Sequence, residues 1–221
     1  QSFEQPAQAF GIANATRIDA RGISPRSWAI SEGGVISETG TSAQAFEKAA
    51  ERHGIPEQNR IDAHGMLLTP GYVDIHAHGA WGMSFDDGAD GIRTARAGHM
   101  LHGTTRQVCS LITNPLDVME ANLRNVSEAM RTRPDVLGAH LEGPFISPLH
   151  KGAHDPACLC DPTPERVAAL VEAADGCLRQ ITIAPELPHA MRAIDTFAHE
   201  GVVCAVGHTD ADFATTERAF D

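Results

Sequence analysis

Residues 70–79 have the sequence PGYVDIHAHG, a mostly apolar run of strand length that ends in two histidines. From Tyr72 onward the pattern of an apolar run, a loop and a segment with helical periodicity recurs along the chain. Strands are predicted at Tyr72–His76, Arg106–Thr113, Val136–Glu142, Gln180–Ala184 and Val202–His208. Apolar strands that alternate with amphipathic helices are typical of a parallel sheet covered by helices.

A helix is predicted after each of these strands. In one, Asn114 is expected to cap the helix and Pro115 to take its first turn. In another, Thr163 caps, Pro164 follows and Gly176 ends the helix. The remaining helices are predicted at Gly91–Leu101, His189–Glu200 and Ala211–Phe220.

The predicted fold class is α/β, as either a doubly wound sheet or a (β/α)8 barrel. Five βα units are visible before Asp221, whereas a closed barrel needs eight strands and about 250 residues. The sequence therefore indicates either an open-sheet protein or a barrel cut short, with residues 70–221 as its catalytic domain.

Residues 1–69 have a different texture, with short apolar runs separated by glycine-containing turns. They predict a small antiparallel β unit, forming a β-sandwich portion. Its strands are expected at Arg17–Ala20, Ser27–Ile30, Val35–Glu38 and Met66–Leu68. Whether Ala43–Arg52 is a helix is undecided at this stage.

Composition limits the partners. The 17 Lys and Arg against 29 Asp and Glu give a net charge of −12, which disfavours nucleic acid and anionic membranes. No apolar run approaches the roughly 18 residues of a membrane span, and Gln1–Gln5 lack the start of a signal peptide. The five scattered cysteines are typical of reduced thiols. We expect a soluble cytoplasmic protein.

Polar residues stand at the carboxyl ends of several predicted strands. His76 and His78 are two residues apart in the first strand, so their side chains lie on the same face. Glu142 ends the third strand and His208 ends the fifth. Ligands bind at this rim in parallel α/β folds, so these four side chains are expected to converge. Imidazole and carboxylate together suit zinc or another divalent first-row metal, which acidifies a bound water. The pattern indicates metal-assisted hydrolysis.

Each residue also has a structural alternative. A lone strand-end histidine such as His208 is more often a hydrogen-bonded structural residue, and His140 is a candidate support rather than a ligand. Glu142 would be costly to bury unpaired, which favours ligation or a salt bridge. His154 either folds back over the site or is a loop residue without a role in it. Asp86 and Asp87 are expected to be solvated.

The motifs resemble those of a known family. Residues 70–79 are similar to the first-strand signature of the amidohydrolase superfamily. The segments HLEGPF at 140–145, KGAH at 151–154, APE at 184–186 and GHT at 207–209 resemble the N-acetylglucosamine-6-phosphate deacetylase family. The resemblance implies a TIM-type barrel and hydrolysis of N-acetylglucosamine 6-phosphate to glucosamine 6-phosphate and acetate, a step of amino-sugar catabolism.

The resemblance also implies roles. Glu142 and His208 bind the catalytic metal, while His154 and the backbone at Ala153 contact the sugar and polarise the acetamide carbonyl. His76 and His78 are the ligands of a second ion, which Glu142 would bridge. Zinc is the expected metal, with iron, cobalt and manganese as alternatives, and one or two ions are compatible with the sequence.

Other parts of the family's site would follow residue 221. They are further ligands, the acid/base aspartate and an arginine for the phosphate, so the chain by itself is expected to be inactive. A homodimer is implied for the full-length protein. Two readings stay open beside this one: another amidohydrolase acting on a cyclic amide or a base, and a catalytically incomplete fragment.

Overall fold

The computed structural model describes residues 9–220. Gln1–Gln5, the basis of the signal-peptide argument, lie outside the described residues. The chain divides into two compact units between Pro70 and Gly71. Within the described residues, no helix combines the length and apolar character needed to cross a bilayer.

The first unit contains a five-stranded sheet with the order β3-β2-β1-β4, and β5 also pairs with β1. Its strands are β1 (Phe10–Asp19), β2 (Gly22–Glu32), β3 (Val35–Thr41), β4 (Arg60–Asp62) and β5 (Leu67–Leu68). The predicted antiparallel pairing is found between β1, β2 and β3, whereas the short strands β4 and β5 run parallel to β1. Parallel neighbours need a crossover connection, and the chain makes one through a helix after β3.

That helix, α1, spans Ala43–Arg52, the segment left undecided by the sequence. The side chain of Ser42 caps it by accepting a hydrogen bond from the Ala45 amide at 3.4 Å. Its apolar face packs Phe46 against Trp28 of β2, with ring centroids 6.2 Å apart. A separate small core therefore holds the first unit together.

The second unit is a five-stranded parallel sheet in the order β12-β11-β10-β9-β6, curled like part of a barrel. The strands are β6 (Tyr72–Ala77), β9 (Thr104–Ile112), β10 (Val136–Glu142), β11 (Leu178–Ile183) and β12 (Val203–Val206). A short hairpin, β7 (Gly79–Ala80) and β8 (Met83–Ser84), follows β6. The predicted α/β class with about five units of a parallel barrel is confirmed.

Five helices alternate with these strands: α2 (Gly88–Leu101), α3 (Leu116–Thr132), α4 (Pro164–Ala174), α5 (Ala190–His199) and α6 (Phe213–Arg218). Asn114 does not cap α3, because Pro115 occupies the cap position. The Asn114 amide instead donates to Asp86 at 3.5 Å. His208 likewise lies beyond β12, in a left-handed conformation with φ of 51°, rather than within a strand.

A buried ion pair lies at the opposite end of the sheet from the histidines. Arg96 of α2 is fully buried; its Nε atom lies 3.0 Å from Asp135, and its other nitrogens donate to Gln107 and the Thr104 carbonyl. A buried guanidinium is tolerated when its donors are satisfied. This network joins α2 to the beginnings of β9 and β10.

In the first unit, the end of α1 is tied to the β2–β3 hairpin through a histidine between two carboxylates. His53 Nδ1 lies 2.8 Å from Glu32 and its Nε2 lies 2.9 Å from Glu38, which also pairs with Arg52. The hydrogen bonds with Glu38 and then Glu32 raise the pKa of His53 above its usual 6.5. The folded state therefore favours the protonated imidazole.

We predict that His53→Gln removes part of the pH dependence of stability. Because the folded pKa is raised, the contribution of His53 is fully present below about pH 6.5 and is lost as the pH rises through the folded value. Urea unfolding at about pH 5.5 and about pH 8.5 measures this. His64→Gln, at an exposed position, is the matched control. If the free energy of unfolding of His53→Gln changes between the two pH values as much as that of the wild type, the prediction is wrong.

Candidate metal centre

Four side chains meet at the carboxyl edge of the parallel sheet. His76 lies near the end of β6, His78 directly follows that strand, Glu142 is the last residue of β10 and His208 follows β12. Because His76 and His78 are two residues apart, their rings lie on the same side, with centroids 5.4 Å apart. The parallel topology brings to one place groups that are up to 132 residues apart in the sequence (208 − 76).

The Glu142 carboxylate is the centre of this group. Its Oε1 lies 3.3 Å from His76 Nε2 and 3.2 Å from His208 Nε2. Its Oε2 lies 2.9 Å from His78 Nε2 and 3.3 Å from His154 Nε2. Two sets could each hold a metal ion, His76 with His78 and Glu142, and Glu142 with His154 and His208; within each set the ligand atoms lie within 4.8 Å of one another.

The local electrostatics keep Glu142 ionised. The hydrogen bond with His78 and the neighbouring imidazoles lower the pKa of Glu142 to about 2, although burial opposes this. The same hydrogen bond raises the pKa of His78. A half-buried carboxylate surrounded by imidazole nitrogens is a donor set that suits a divalent first-row metal.

The backbone determines which nitrogen of His208 faces the site. His208 Nδ1 lies 2.7 Å from the carbonyl oxygen of His150, which only accepts hydrogen bonds. His208 Nδ1 therefore carries a proton, and Nε2, which lies 3.2 Å from Glu142 Oε1, would present its lone pair to a cation bound at the centre. This is the arrangement of a metal-ligating histidine, whose second nitrogen donates to a carbonyl.

His154 has the opposite arrangement. The amide of Thr113 donates to His154 Nδ1 at 3.3 Å, so the proton of the neutral ring is on Nε2 and points at Glu142. The side chain is only 3% exposed, and burial lowers its pKa. His154 therefore presents a hydrogen-bond donor, while His208 Nε2 would present a lone pair to a bound cation.

His140 packs against His76 of the cluster. It is fully buried; its Nδ1 lies 2.9 Å from the Ser110 hydroxyl and its Nε2 lies 2.8 Å from that of Thr182. Its ring meets His76 edge-on, with centroids 4.7 Å apart, and burial lowers the pKa of His140 to about 4. Because both nitrogens are in use, His140 orients its neighbours as a neutral ring.

The loops that carry His154 and His208 are tied to each other. The amide of Ser147 donates to the His208 carbonyl at 2.8 Å, and His150 Nε2 lies 2.9 Å from Asp210. Glu186, beyond β11, accepts from the Asp210 amide at 2.7 Å and from the Thr209 hydroxyl. Ala153 lies exposed beside His154 in the same loop. These bonds position His208 although it lies outside the strand.

One site residue escaped sequence reasoning. Asp86 is half-buried rather than solvated, and it accepts hydrogen bonds from Ser84, Asn122 and the Ile112 amide at 3.0–3.3 Å. Asp87 is exposed, as predicted. The spacing of Ser84 and Asp87, which form a capping box, was the available signal for an ordered turn here.

The residue after Glu142 must be glycine for two reasons. Gly143 has a φ of +85°, a conformation that L side chains rarely adopt. A Cβ atom there would lie 2.2 Å from the hydroxyl oxygen of Thr113, which donates to the Glu142 carbonyl at 2.9 Å. Gly143 thus lets the chain turn sharply while Glu142 stays at the edge of the sheet.

The fold and the site together define part of a (β/α) barrel in which histidine and glutamate side chains that could hold a metal ion lie at the carboxyl ends of the strands. The sequence is similar to the N-terminal part of N-acetylglucosamine-6-phosphate deacetylases. It is 31% identical over 159 residues to the enzyme of that name from Lysinibacillus sphaericus, covering 70% of this chain and 41% of that protein. It is 32% identical over 159 residues to N-acetylgalactosamine-6-phosphate deacetylase from Escherichia coli O157:H7, covering 70% of this chain and 42% of that protein.

A solved structure agrees. A variant of N-acetyl-D-glucosamine-6-phosphate deacetylase from Mycobacterium smegmatis, in complex with N-acetyl-D-glucosamine-6-phosphate, superposes with a TM-score of 0.84 and 30% identity. The match covers 97% of this chain and 54% of that one. No protein-family model matches the chain. The chain spans about two fifths of the length of the curated relatives it matches.

We predict that Gly143→Ala destabilises the protein more than Gly176→Ala. Gly176 also has a positive φ, of +76°, but a Cβ there would meet nothing within 4 Å. Backbone strain is expected to lower the free energy of unfolding of both variants by about 1–3 kcal/mol. In Gly143→Ala the contact with Thr113 lowers it by at least about 1 kcal/mol more. Chemical denaturation measures the difference, and equal losses would contradict it.

Proposed function

We propose that this chain is the N-terminal part of a metal-dependent deacetylase that hydrolyses N-acetylglucosamine 6-phosphate to glucosamine 6-phosphate and acetate. The observation that carries the proposal is the contact of one ionised carboxylate, Glu142, with the Nε2 atoms of four histidines. The names of the relatives support the reaction and the phosphorylated amino-sugar substrate.

The ligands would be His76, His78, Glu142 and His208. The donor set fits, because the Nδ1 proton of His208 is donated to the His150 carbonyl, which would leave Nε2 free to bind a cation, and because Glu142 is ionised. Nitrogen and oxygen ligands suit zinc best, with iron, cobalt and manganese as alternatives. When bound, such an ion supplies acidification of water and polarisation of a carbonyl. The two overlapping sets that share Glu142 support space for one or two ions.

His154 would bind the substrate rather than the metal. Its Nε2 proton is held towards the centre by the Thr113 amide on the other side of the ring. This N–H group would donate a hydrogen bond to the acetamide carbonyl oxygen, where negative charge develops during hydrolysis. Burial lowers the pKa of His154, so the ring is neutral at pH 7 and keeps its fixed tautomer. The backbone at Ala153 would contact the sugar.

The acid/base aspartate and the phosphate-binding arginine are assigned by resemblance to a part of the relatives that this chain does not match. We therefore expect residues 1–221 alone to be inactive. Activity is tested in the natural chain that carries these residues. Activity on a hydantoin or a purine would favour a different amidohydrolase, and metal binding without any activity would favour an incomplete fragment.

N-acetylgalactosamine 6-phosphate is a second candidate substrate. It is favoured by the relative from Escherichia coli O157:H7, which is as similar to this chain as the glucosamine-type relatives. The two sugars differ only in the configuration at C4. A comparison of kcat/KM for the two phosphosugars separates the candidates.

The proposal extends to the cell. We place the protein in the cytoplasm, as a homodimer in amino-sugar catabolism without nucleic-acid or membrane partners. The cysteines support a reducing compartment, since all five, Cys109, Cys158, Cys160, Cys177 and Cys204, are free thiols. The charge of −12 supports the absence of nucleic acid.

Glu142→Gln in the natural chain is expected to lose bound zinc and to lower kcat/KM for deacetylation at least about 100-fold, because a neutral amide cannot balance the charge of a divalent ion. Metal analysis and acetate release measure the two effects. Glu128→Gln, at an exposed helix position, is the matched control. Full activity of Glu142→Gln in the presence of a strong chelator would refute the metal mechanism.

His154→Gln is expected to keep its metal and to lower kcat about 10²- to 10³-fold, because the fixed donor to the carbonyl oxygen is lost. His102→Gln, at an exposed position, serves as the control. If His154→Gln loses zinc as Glu142→Gln does, His154 is a ligand and its assignment as a donor is wrong.

A further inference from the structure

Asp86 is a half-buried carboxylate that the proposed chemistry does not use. Its Oδ2 accepts from the Ser84 hydroxyl at 3.0 Å and from the Ile112 amide at 3.3 Å, while its Oδ1 accepts from Asn122 at 3.1 Å and Asn114 at 3.5 Å. Burial raises the pKa of Asp86, and these donors oppose the rise. Removing a carboxylate from water costs free energy, which the four donors around Asp86 offset. A turn exposed to solvent would be stable without such a set of donors.

The turn that carries Asp86 holds the backbone of His78. The amide of Phe85 donates to the His78 carbonyl at 3.0 Å, and the Ser84 hydroxyl lies 3.1 Å from the same oxygen. The turn itself is closed by Asp87, which accepts from the Ser84 amide at 2.7 Å. The position of His78 therefore depends on this turn.

Asp86 joins the turn to the rest of the barrel edge. Ile112 ends β9 and is the register partner of Glu142 in β10. Asn122 belongs to α3, so the carboxylate connects the His78 loop, the end of β9 and a covering helix. His78 Nδ1 is buried and finds no hydrogen-bond partner among the described residues.

We propose that Asp86 is a positioning residue of the metal centre, which fixes the His78 loop so that His78 Nε2 faces Glu142. This inference rests on the proposed function. Groups that orient metal ligands typically contribute a factor of about 10–100 to metal affinity.

The test is the zinc affinity of the natural chain, measured by competition with a chromophoric chelator. Asp86→Asn is expected to weaken zinc binding about 10- to 100-fold, because the amide places a donor against the Ile112 and Asn122 donors and so releases the loop that carries His78. Asp90→Asn, at an exposed position of α2, is the matched control and should bind zinc as the wild type does. Unchanged affinity in Asp86→Asn would overturn the proposal.

A double-mutant cycle separates positioning of His78 from general destabilisation. In a His78→Ala background, Asp86→Asn should change zinc affinity less than about 2-fold, because its effect passes through His78. An equal loss in both backgrounds overturns the positioning role. If Asp86→Asn does not fold in excess chelator, Asn122→Ala is measured in its place, with an expected loss of about 3- to 10-fold that again disappears in His78→Ala.

The same measurements keep the two proposals apart. Wild-type protein that binds no zinc, or binds it independently of Glu142, refutes the proposed function. Wild-type protein whose zinc binding requires Glu142 but is unaffected by Asp86→Asn refutes only the role of Asp86.

Discussion

The candidate site depends on one ionised carboxylate at the edge of the sheet. Glu142 ends β10, the central strand of the five, so side chains from both directions reach it. His76 and His78 approach from the edge strand β6, and His208 from the opposite edge beyond β12. Such a concentration of imidazoles around a half-buried negative charge is stable when a cation or a proton balances it, which relates the architecture of the barrel edge directly to metal binding.

The histidines around Glu142 look alike in sequence, and the backbone makes them different. A carbonyl oxygen opposite His208 Nδ1 would leave Nε2 free to bind a cation at the centre, whereas an amide opposite His154 Nδ1 leaves a proton there. His140 has both nitrogens occupied by hydroxyls and is left with neither function. Three roles therefore arise from one residue type, because a backbone group is either a donor or an acceptor and forces the tautomer of the ring it contacts.

Much of the second unit follows from periodicity. The strand Val136–Glu142 was predicted with the observed bounds, and the helices and strands around it differ by a few residues at their ends. The first unit was harder, because the direction of the short strands β4 and β5 depends on the crossover through α1, which sequence reasoning left undecided although Phe46, Ala49 and Ala50 form a buried stripe at helical spacing. The capping role given to Asn114 failed because its amide has a partner, Asp86, that lies far away in sequence.

The spacing of His76 and His78 and the position of Glu142 at a strand end were sufficient, by themselves, to predict that these groups share one rim, since side chains alternate along strands and parallel strands end together. The ring partners of each histidine, the hydrogen bonds of the half-buried Asp86 and the placement of His208 outside its strand were decided only by tertiary structure. Each depends on a hydrogen-bond partner remote in the chain, such as Thr113 for His154 or His150 for His208, and local sequence does not specify which remote backbone group a side chain meets.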